Sequence, residues 1–283
     1  MELKLGFANY LLSFVTPLVT SSIFAASPSL AATLVSSEAR VFLDDFSHKP
    51  FAVSTLTDAD TVAIASNGGV AAEAEADASA AFLSKMGVVE NFSSSLVKGD
   101  GNNYFGMAKS VAEVIAYDFR IKAKATFSFD FLAFLGLETS TDNPKVETTN
   151  AYGDVLFKLY DTTDPDNWLP LDSFSISGNL ETPGNDDFIQ YQVDGQFTLA
   201  DADLETDFEG TERAAVAELE GSYSRYFDSL TYVTLLETKM TKASASVKTP
   251  ETSNMLGLLL FGLLGVGYGI KTKAFESKSK FTE

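Results

Sequence analysis

The sequence predicts an all-β body, an antiparallel β-sandwich of jelly-roll type, with a signal peptide ahead of it and a short transmembrane helix behind. Three observations carry this reading. In mid-chain, apolar and polar residues alternate at period two. Turn-forming residues recur roughly every ten to fifteen positions, the rhythm of a sandwich. Apolar segments occupy both ends, and most of the acidic residues lie between them. The expected division is a leader at 1–31, a β domain at 32–248 and a tail at 249–283.

The leader begins with Lys4 as a weak basic region, followed by an apolar run from Leu5. Ser29-Leu30-Ala31 places small residues where signal peptidase needs them, with a cut after Ala31 or Ala32. An uncleaved anchor is the alternative. Polar Thr16, Thr20, Ser21 and Ser22 break the run and favour export with cleavage.

Within the body, "VAAEAEADASAAFLSKMG" pulls two ways. Alanine and glutamate favour helix by propensity. Glu73, Glu75, Asp77 and Ser79, however, alternate with alanines, and this predicts a strand with a small inward face. The clearest strand signal is "YDFRIKAKATFSFDF", where Tyr117, Phe119, Ile121, Ala123, Ala125, Phe127, Phe129 and Phe131 share one parity. The expectation is one long strand with a bend or bulge near the two alanines. "GDVLFKLYD" (153–161) and "SFSISGNL" (173–180) are expected to pair across a turn built on Asp164, Pro165, Asp166 and Asn167. "DFIQYQVDGQFTL" offers two strands about an Asp194-Gly195 turn, and "YFDSLTYVTLL" (226–236) reads as a further strand.

In the tail, the sixteen residues from Met255 to Ile270 are uncharged. As a helix they span about 24 Å, short of the roughly 30 Å hydrocarbon core. Lys271, Lys273, Lys278 and Lys280 follow, and the positive-inside rule keeps residues 271–283 cytoplasmic and puts the body across the membrane. Pro250 and Glu251, the glycine- and leucine-rich stretch Leu256 to Tyr268, and the basic pair Lys271 and Lys273 together resemble the PEP-CTERM sorting domain. Thr252 stands where that family has a second proline, and lysines replace its usual arginines. The resemblance covers the tail alone. It implies an exosortase-like membrane peptidase as a partner, beside signal peptidase, and a Gram-negative cell that makes extracellular polysaccharide. It also implies transient inner-membrane anchoring, then display at the surface or release. An ordinary C-terminal membrane anchor is the alternative.

Composition narrows the function. Asp and Glu total 39 against 20 Lys and Arg, a net charge of −19, which disfavours nucleic acid and anionic lipid as partners of the body. Without cysteine, thiolate metal sites are excluded and an exported fold must hold without disulfides. The single histidine, His48, rules out a multi-histidine metal site.

Four constellations invite chemistry. Asp201, Asp203, Glu205, Asp207 and Glu212 have the offsets of a calcium loop, but Thr206 stands where the loop needs glycine. The expectation is at most a looser Ca²⁺ site on a loop between strands, or a solvated acidic loop. Asp142, Asn143, Asp164, Asp166 and Asn167 could offer oxygen ligands, or simply hold turns; Trp168 beside them is expected to be a core or edge plug, with stacking on a sugar ring as the alternative. Paired carboxylates for glycoside hydrolysis discriminate nothing among so many acids, and a serine nucleophile would have only His48 as its base. Asn91-Phe92-Ser93 is a formal glycosylation sequon. The expected function is non-enzymatic: an exported structural or adhesive surface or biofilm-matrix protein that meets polysaccharide. A carbohydrate-binding module and an exported glycoside hydrolase are the competing classes.

Overall fold

In the computed structural model, which describes residues 33–65, 70–83, 87–101 and 103–247, every regular element is a strand. The leader at 1–31 and the tail, with Pro250, Glu251, Lys271 and Lys273, lie outside the described residues. Among the described residues no helix is long and apolar enough to cross a membrane.

The strands are β1 (Thr33–Asp44), β2 (Ala52–Ala65), β3 (Ala71–Leu83), β4 (Val88–Asp100), β5 (Tyr104–Ile121) and β6 (Ala125–Thr141). They continue with β7 (Glu147–Asp161), β8 (Leu169–Thr182), β9 (Phe188–Asp194), β10 (Phe197–Asp207), β11 (Glu212–Phe227) and β12 (Thr231–Val247). Two six-stranded sheets result, β10-β11-β6-β1-β4-β3 (sheet I) and β2-β5-β12-β7-β8-β9 (sheet II). Every pairing is antiparallel. The sheets face each other, with β1 across from β12 and β7, and β6 across from β7 and β8. The predicted all-β two-sheet sandwich is therefore present.

Alternation explains why these segments are strands. In β6, Phe127, Phe129, Phe131, Ala133, Leu135 and Leu137 are buried while the residues between them face outward. Period two can satisfy one dry and one wet face only in an extended chain. The same force decides β3, where alternation overrides the helix propensity of alanine and glutamate.

Two expectations are corrected by sheet topology. "YDFRIKAKATFSFDF" is two strands in different sheets: β5 ends at Ile121, Lys122–Lys124 turn, and β6 starts in sheet I. Lys124 takes φ 61° there, and its amide donates to the Phe227 carbonyl at 2.8 Å. Alternation survives the crossing because both strands turn the same parity toward one core. The bulge lies earlier, at Asp118 with φ 55°, where Phe119 pairs with Val233 but Ala116 with Leu235. This extra residue rotates Tyr117 out of the buried set. "YFDSLTYVTLL" is likewise interrupted, with β11 ending at Phe227 and β12 starting at Thr231 in the other sheet.

The core changes character along the strands. One half is aromatic: Phe131, Phe157 and Phe174 meet with ring centroids 4.9 to 5.6 Å apart, and Phe129 stacks on Tyr223 at 5.3 Å. The other half is lined by small and polar residues such as Ser37, Ser93, Ser95, Ala108, Ser110 and Thr241. There the layers approach closely enough for Ser110 Oγ to donate to the Asp77 carbonyl at 2.5 Å. A Cβ on Gly153 would meet Leu135 Cδ1 at 2.2 Å, so only glycine fits that approach. At the sandwich's edge β2 is exposed along all 14 residues, with Asp58 and Asp60 near its centre as charges that discourage strand-to-strand pairing.

Candidate functional site

The acidic run 201–212 is mostly strand, not loop. Asp201, Asp203, Glu205 and Asp207 lie on β10, the edge of sheet I, and Glu212 opens β11 beyond the turn at Phe208–Thr211. Alternate residues of an extended strand are about 7 Å apart along the chain. Calcium draws its oxygens to about 2.4 Å, so these carboxylates do not converge as a loop would make them. Asp201 and Asp207 instead accept nearby amides, from Ala202 at 2.9 Å and Glu209 at 3.3 Å. Among the described residues no three or more His, Asp or Glu side chains are grouped to hold a metal ion.

What the four acids join is a broader surface. Asp201 pairs with Glu220 and Asp203 with Glu218 across β10 and β11, and Glu218 and Glu220 then lie beside Phe134 and Leu132 of β6. Farther along the same outer face, Glu38 pairs with Gly136, and Asp44 with Asp130. Arg40 is a cation within this field. It ion-pairs with Glu38 and lies over Phe92 and Phe134, 5.7 and 6.0 Å from their ring centroids. Burial pushes the Asp44 carboxyl up to about 6, with Asp45 and Asp130 adding repulsion. Burial, then Glu212, raises Glu138. The outer face of sheet II is mixed instead: Lys109, Lys158 and Lys242 lie among serine, threonine and asparagine and among the acids Asp58, Asp60, Glu113 and Asp154. Acidic charge is thus less relieved by cations on sheet I than on sheet II. Sequence reading placed 201–207 in a loop and gave no sign that β10, β11, β6 and β1 lie side by side.

The turn residues act locally. Asp164 Oδ1 accepts the Asp166 amide at 3.1 Å, Asn143 Oδ1 accepts the Lys145 amide at 3.3 Å, and Asn167 donates its amide to the Asp164 carbonyl at 3.1 Å. Trp168 is 45% exposed and leans on Tyr160 and Tyr117, with centroids at 5.9 and 6.5 Å. It is not a core plug. Two tyrosines brace it while much of its indole stays in solvent. His48 Nδ1 lies 2.9 Å from Ser47 Oγ, but that hydroxyl also accepts the Ser128 amide at 2.8 Å and so ties the β1–β2 connection to β6. A shallow depression of about 120 Å³, lined by Phe105, Thr148, Asn150, Glu181 and Ser246 among others, presents one carboxylate, Glu181.

The most unusual chemistry is inside. Glu237 and Lys239 of β12 face the core, 0% and 1% exposed, in a row of inward residues that runs Val233, Leu235, Glu237, Lys239, Thr241. Lys239 Nζ bonds Glu237 Oε1, and Asn91 Nδ2, from β4 in the opposite sheet, bonds Glu237 Oε2. Next to them Thr241 Oγ1 meets Ser93 and Ser95 hydroxyls at 2.9 and 3.0 Å. Burial dominates the titration of both charges, raising the Glu237 carboxyl and lowering the Lys239 amine to about 8. Asn91, the sequon residue, is 3% exposed and out of reach of a glycan in the folded protein. Sequence reading passed over this trio, although charged residues at the inward parity of a strand are a legible signal. Comparison with protein-family models, with curated proteins and with solved structures finds no match to this chain.

Proposed function

We propose that this is an exported, non-enzymatic protein of the cell surface or extracellular matrix, structural or adhesive in role. The observation that supports it most is the crowding of acids on the outer face of sheet I, a distribution suited to cation-mediated contact and poorly suited to polyanions. Calcium would act there as a diffuse counterion shared along the face. In this reading signal peptidase removes residues 1–31, and Met255–Ile270 halts transfer as a membrane helix. An exosortase-like peptidase then acts on the tail marked by Pro250, Glu251, Lys271 and Lys273. The test is peptide mapping of the protein recovered from the cell surface. Recovery of the body without Leu256–Ile270 supports sorting; surface protein that retains that stretch overturns processing, and a cytosolic protein with Met1 intact overturns export.

A second reading is carbohydrate contact, favoured by the exposed Trp168 with Tyr117 and Tyr160 around it. Aromatic faces stack on the C–H faces of sugars, and a braced indole loses little freedom on binding. Affinity electrophoresis through gels containing the producing cell's polysaccharide tests it. Retardation that Trp168→Ala abolishes supports the reading, and equal migration with and without polysaccharide removes it.

A further inference from the structure

The Glu237 carboxylate holds an amine on one oxygen and a carboxamide on the other, in a place water does not reach. Its neighbours within sheet II are apolar: Glu237 is flanked by Val114 and Phe157, Lys239 by Ala112 and Val155. No solvent stabilises either charge. A dry site of this kind favours the neutral pair, amine and carboxylic acid, over ammonium and carboxylate. The downward displacement of Lys239 to about 8 and the upward displacement of Glu237 have that same direction. A neutral amine is a nucleophile, and the Asn91 amide, bonded to the other oxygen of the same carboxyl, offers it an electrophilic carbon.

Asn91 adds a second observation. Its Oδ1 is buried and has no hydrogen-bond partner. An unpaired buried carbonyl is costly, and amide oxygen and nitrogen exchange places by a half-turn of the side chain. After that turn Oδ1 faces Glu237 Oε2, and a protonated carboxyl donates to it. That hydrogen bond draws electron density from Cγ, the atom the amine must attack.

We propose that Asn91, Glu237 and Lys239 form an intramolecular cross-linking site, in which the Lys239 amine displaces ammonia from the Asn91 side chain to leave an amide bond between the two sheets. The Nζ lone pair forms a bond to Cγ, and the C=O π electrons move to Oδ1, which accepts the Glu237 proton. The Glu237 carboxylate then removes a proton from the now cationic Nζ and delivers it to Nδ2. The Cγ–Nδ2 bond breaks as the carbonyl re-forms, ammonia departs with the nitrogen's electron pair, and the Oδ1 proton returns to Glu237. One amide and one amine become one amide and ammonia, and no oxidant or cofactor is consumed. Glu237 ends as it began and touches both reacting groups throughout. The bond would join β4 of sheet I to β12 of sheet II in a chain that has no cysteine with which to make a disulfide. The proposal rests on this buried geometry and stands whether or not the protein is exported.

Peptide mapping of the full-length chain, aged after purification, unfolded and digested with trypsin, tests it. Residues 86–98 carry Asn91, and residues 226–239 end at Lys239. A lysine in amide linkage is not cut, so the expected product is 86–98 joined to 226–242, lighter than the sum of its parts by about 17 Da, the mass of ammonia. Fragmentation places the branch on Asn91 and Lys239. Full recovery of free 86–98 and 226–239 overturns the proposal. Glu237→Gln preserves shape but cannot shuttle protons; it is expected to yield only the free peptides while keeping the far-ultraviolet dichroism of a β protein. A branched peptide in Glu237→Gln overturns the role given to Glu237.

Discussion

Asp172 of β8 accepts the Tyr223 hydroxyl of β11 at 2.6 Å and the Arg225 guanidinium at 2.7 Å, so one carboxylate fastens sheet II to sheet I. Its other oxygen accepts the Gln196 amide at 3.1 Å, which holds the corner between β9 and β10. Tyr223→Phe removes one bond and leaves Asp172 its other partners, so the expected loss is about 1–2 kcal/mol. Asp172→Ala strands a buried hydroxyl, a guanidinium and an amide together, and the expected loss is about 3–5 kcal/mol. Urea unfolding followed by tyrosine fluorescence separates the two; equal losses would deny the carboxylate its joining role.

That same oxygen dictates glycine at position 195. The Asp-Gly corner takes φ 80°, and a Cβ there would lie 1.6 Å from Asp172 Oδ1. Gly87 has a similar φ of 67° with nothing within 4 Å of its would-be Cβ. Gly87→Ala therefore measures backbone strain alone, about 1–2 kcal/mol. Gly195→Ala adds a collision with a group that three partners hold in place, and is expected to cost at least twice as much. Parallel urea titrations of the two variants make the comparison.

Acidification is expected to stabilise the protein. The folded Asp44 carboxyl is raised from its usual 3.8 to about 6, so the fold prefers its protonated form. That contribution is fully present below about pH 4 and is lost as pH rises through about 6. Glu113, Glu138 and Asp154, raised chiefly by burial, act with the same sign. For Asp44, half in solvent, the effect is on the order of 1 kcal/mol after allowance for screening. Thermal melts at constant ionic strength should show a midpoint that falls between pH 4.5 and 7, and Asp44→Asn should flatten part of the fall. A midpoint that climbs over this range would contradict the assignment.

Divalent cations are expected to raise the melting midpoint without chemical preference. The acids of β10 stand in a row against Glu218 and Glu220, and like charges opposite each other across strands repel. Counterions relieve that repulsion, so Ca²⁺ and Mg²⁺ at equal millimolar concentration should give equal shifts, both reduced by added NaCl. A saturating shift peculiar to Ca²⁺ would reveal a chelating site in place of a diffuse one. Replacing Asp201 and Asp203 by asparagine should reproduce part of the gain in the absence of any divalent ion.

Legibility from sequence followed physical locality. Alternation is local, so the strand at β3, the pairing of 153–161 with 173–180 and the Asp194-Gly195 turn were readable, while β1, β2, β4 and most of β5 and β11, with weaker or interrupted alternation, were not. The place where a strand leaves one sheet for the other was not. Ile121 and Ala125 keep one parity on both sides of Lys122–Lys124, and a core that accepts the same face twice leaves no mark in the pattern. The acids 201–207 suited a calcium loop because spacing alone does not reveal that the chain is extended there. The trio of Asn91, Glu237 and Lys239 unites residues 146 and 2 positions apart, and only the facing of β4 and β12 brings them together. Half of that message was nonetheless local, since Glu237 and Lys239 occupy inward positions.

Because lysines temper the acids on one broad side and hardly at all on the other, the two faces of the folded body differ in how strongly they repel anions. Close to a polyanionic surface such an object does not tumble evenly; the face bearing Lys109, Lys158 and Lys242 is repelled less and turns toward it. Orientation would then be set before any specific contact forms, and copies packed at an interface would point the same way.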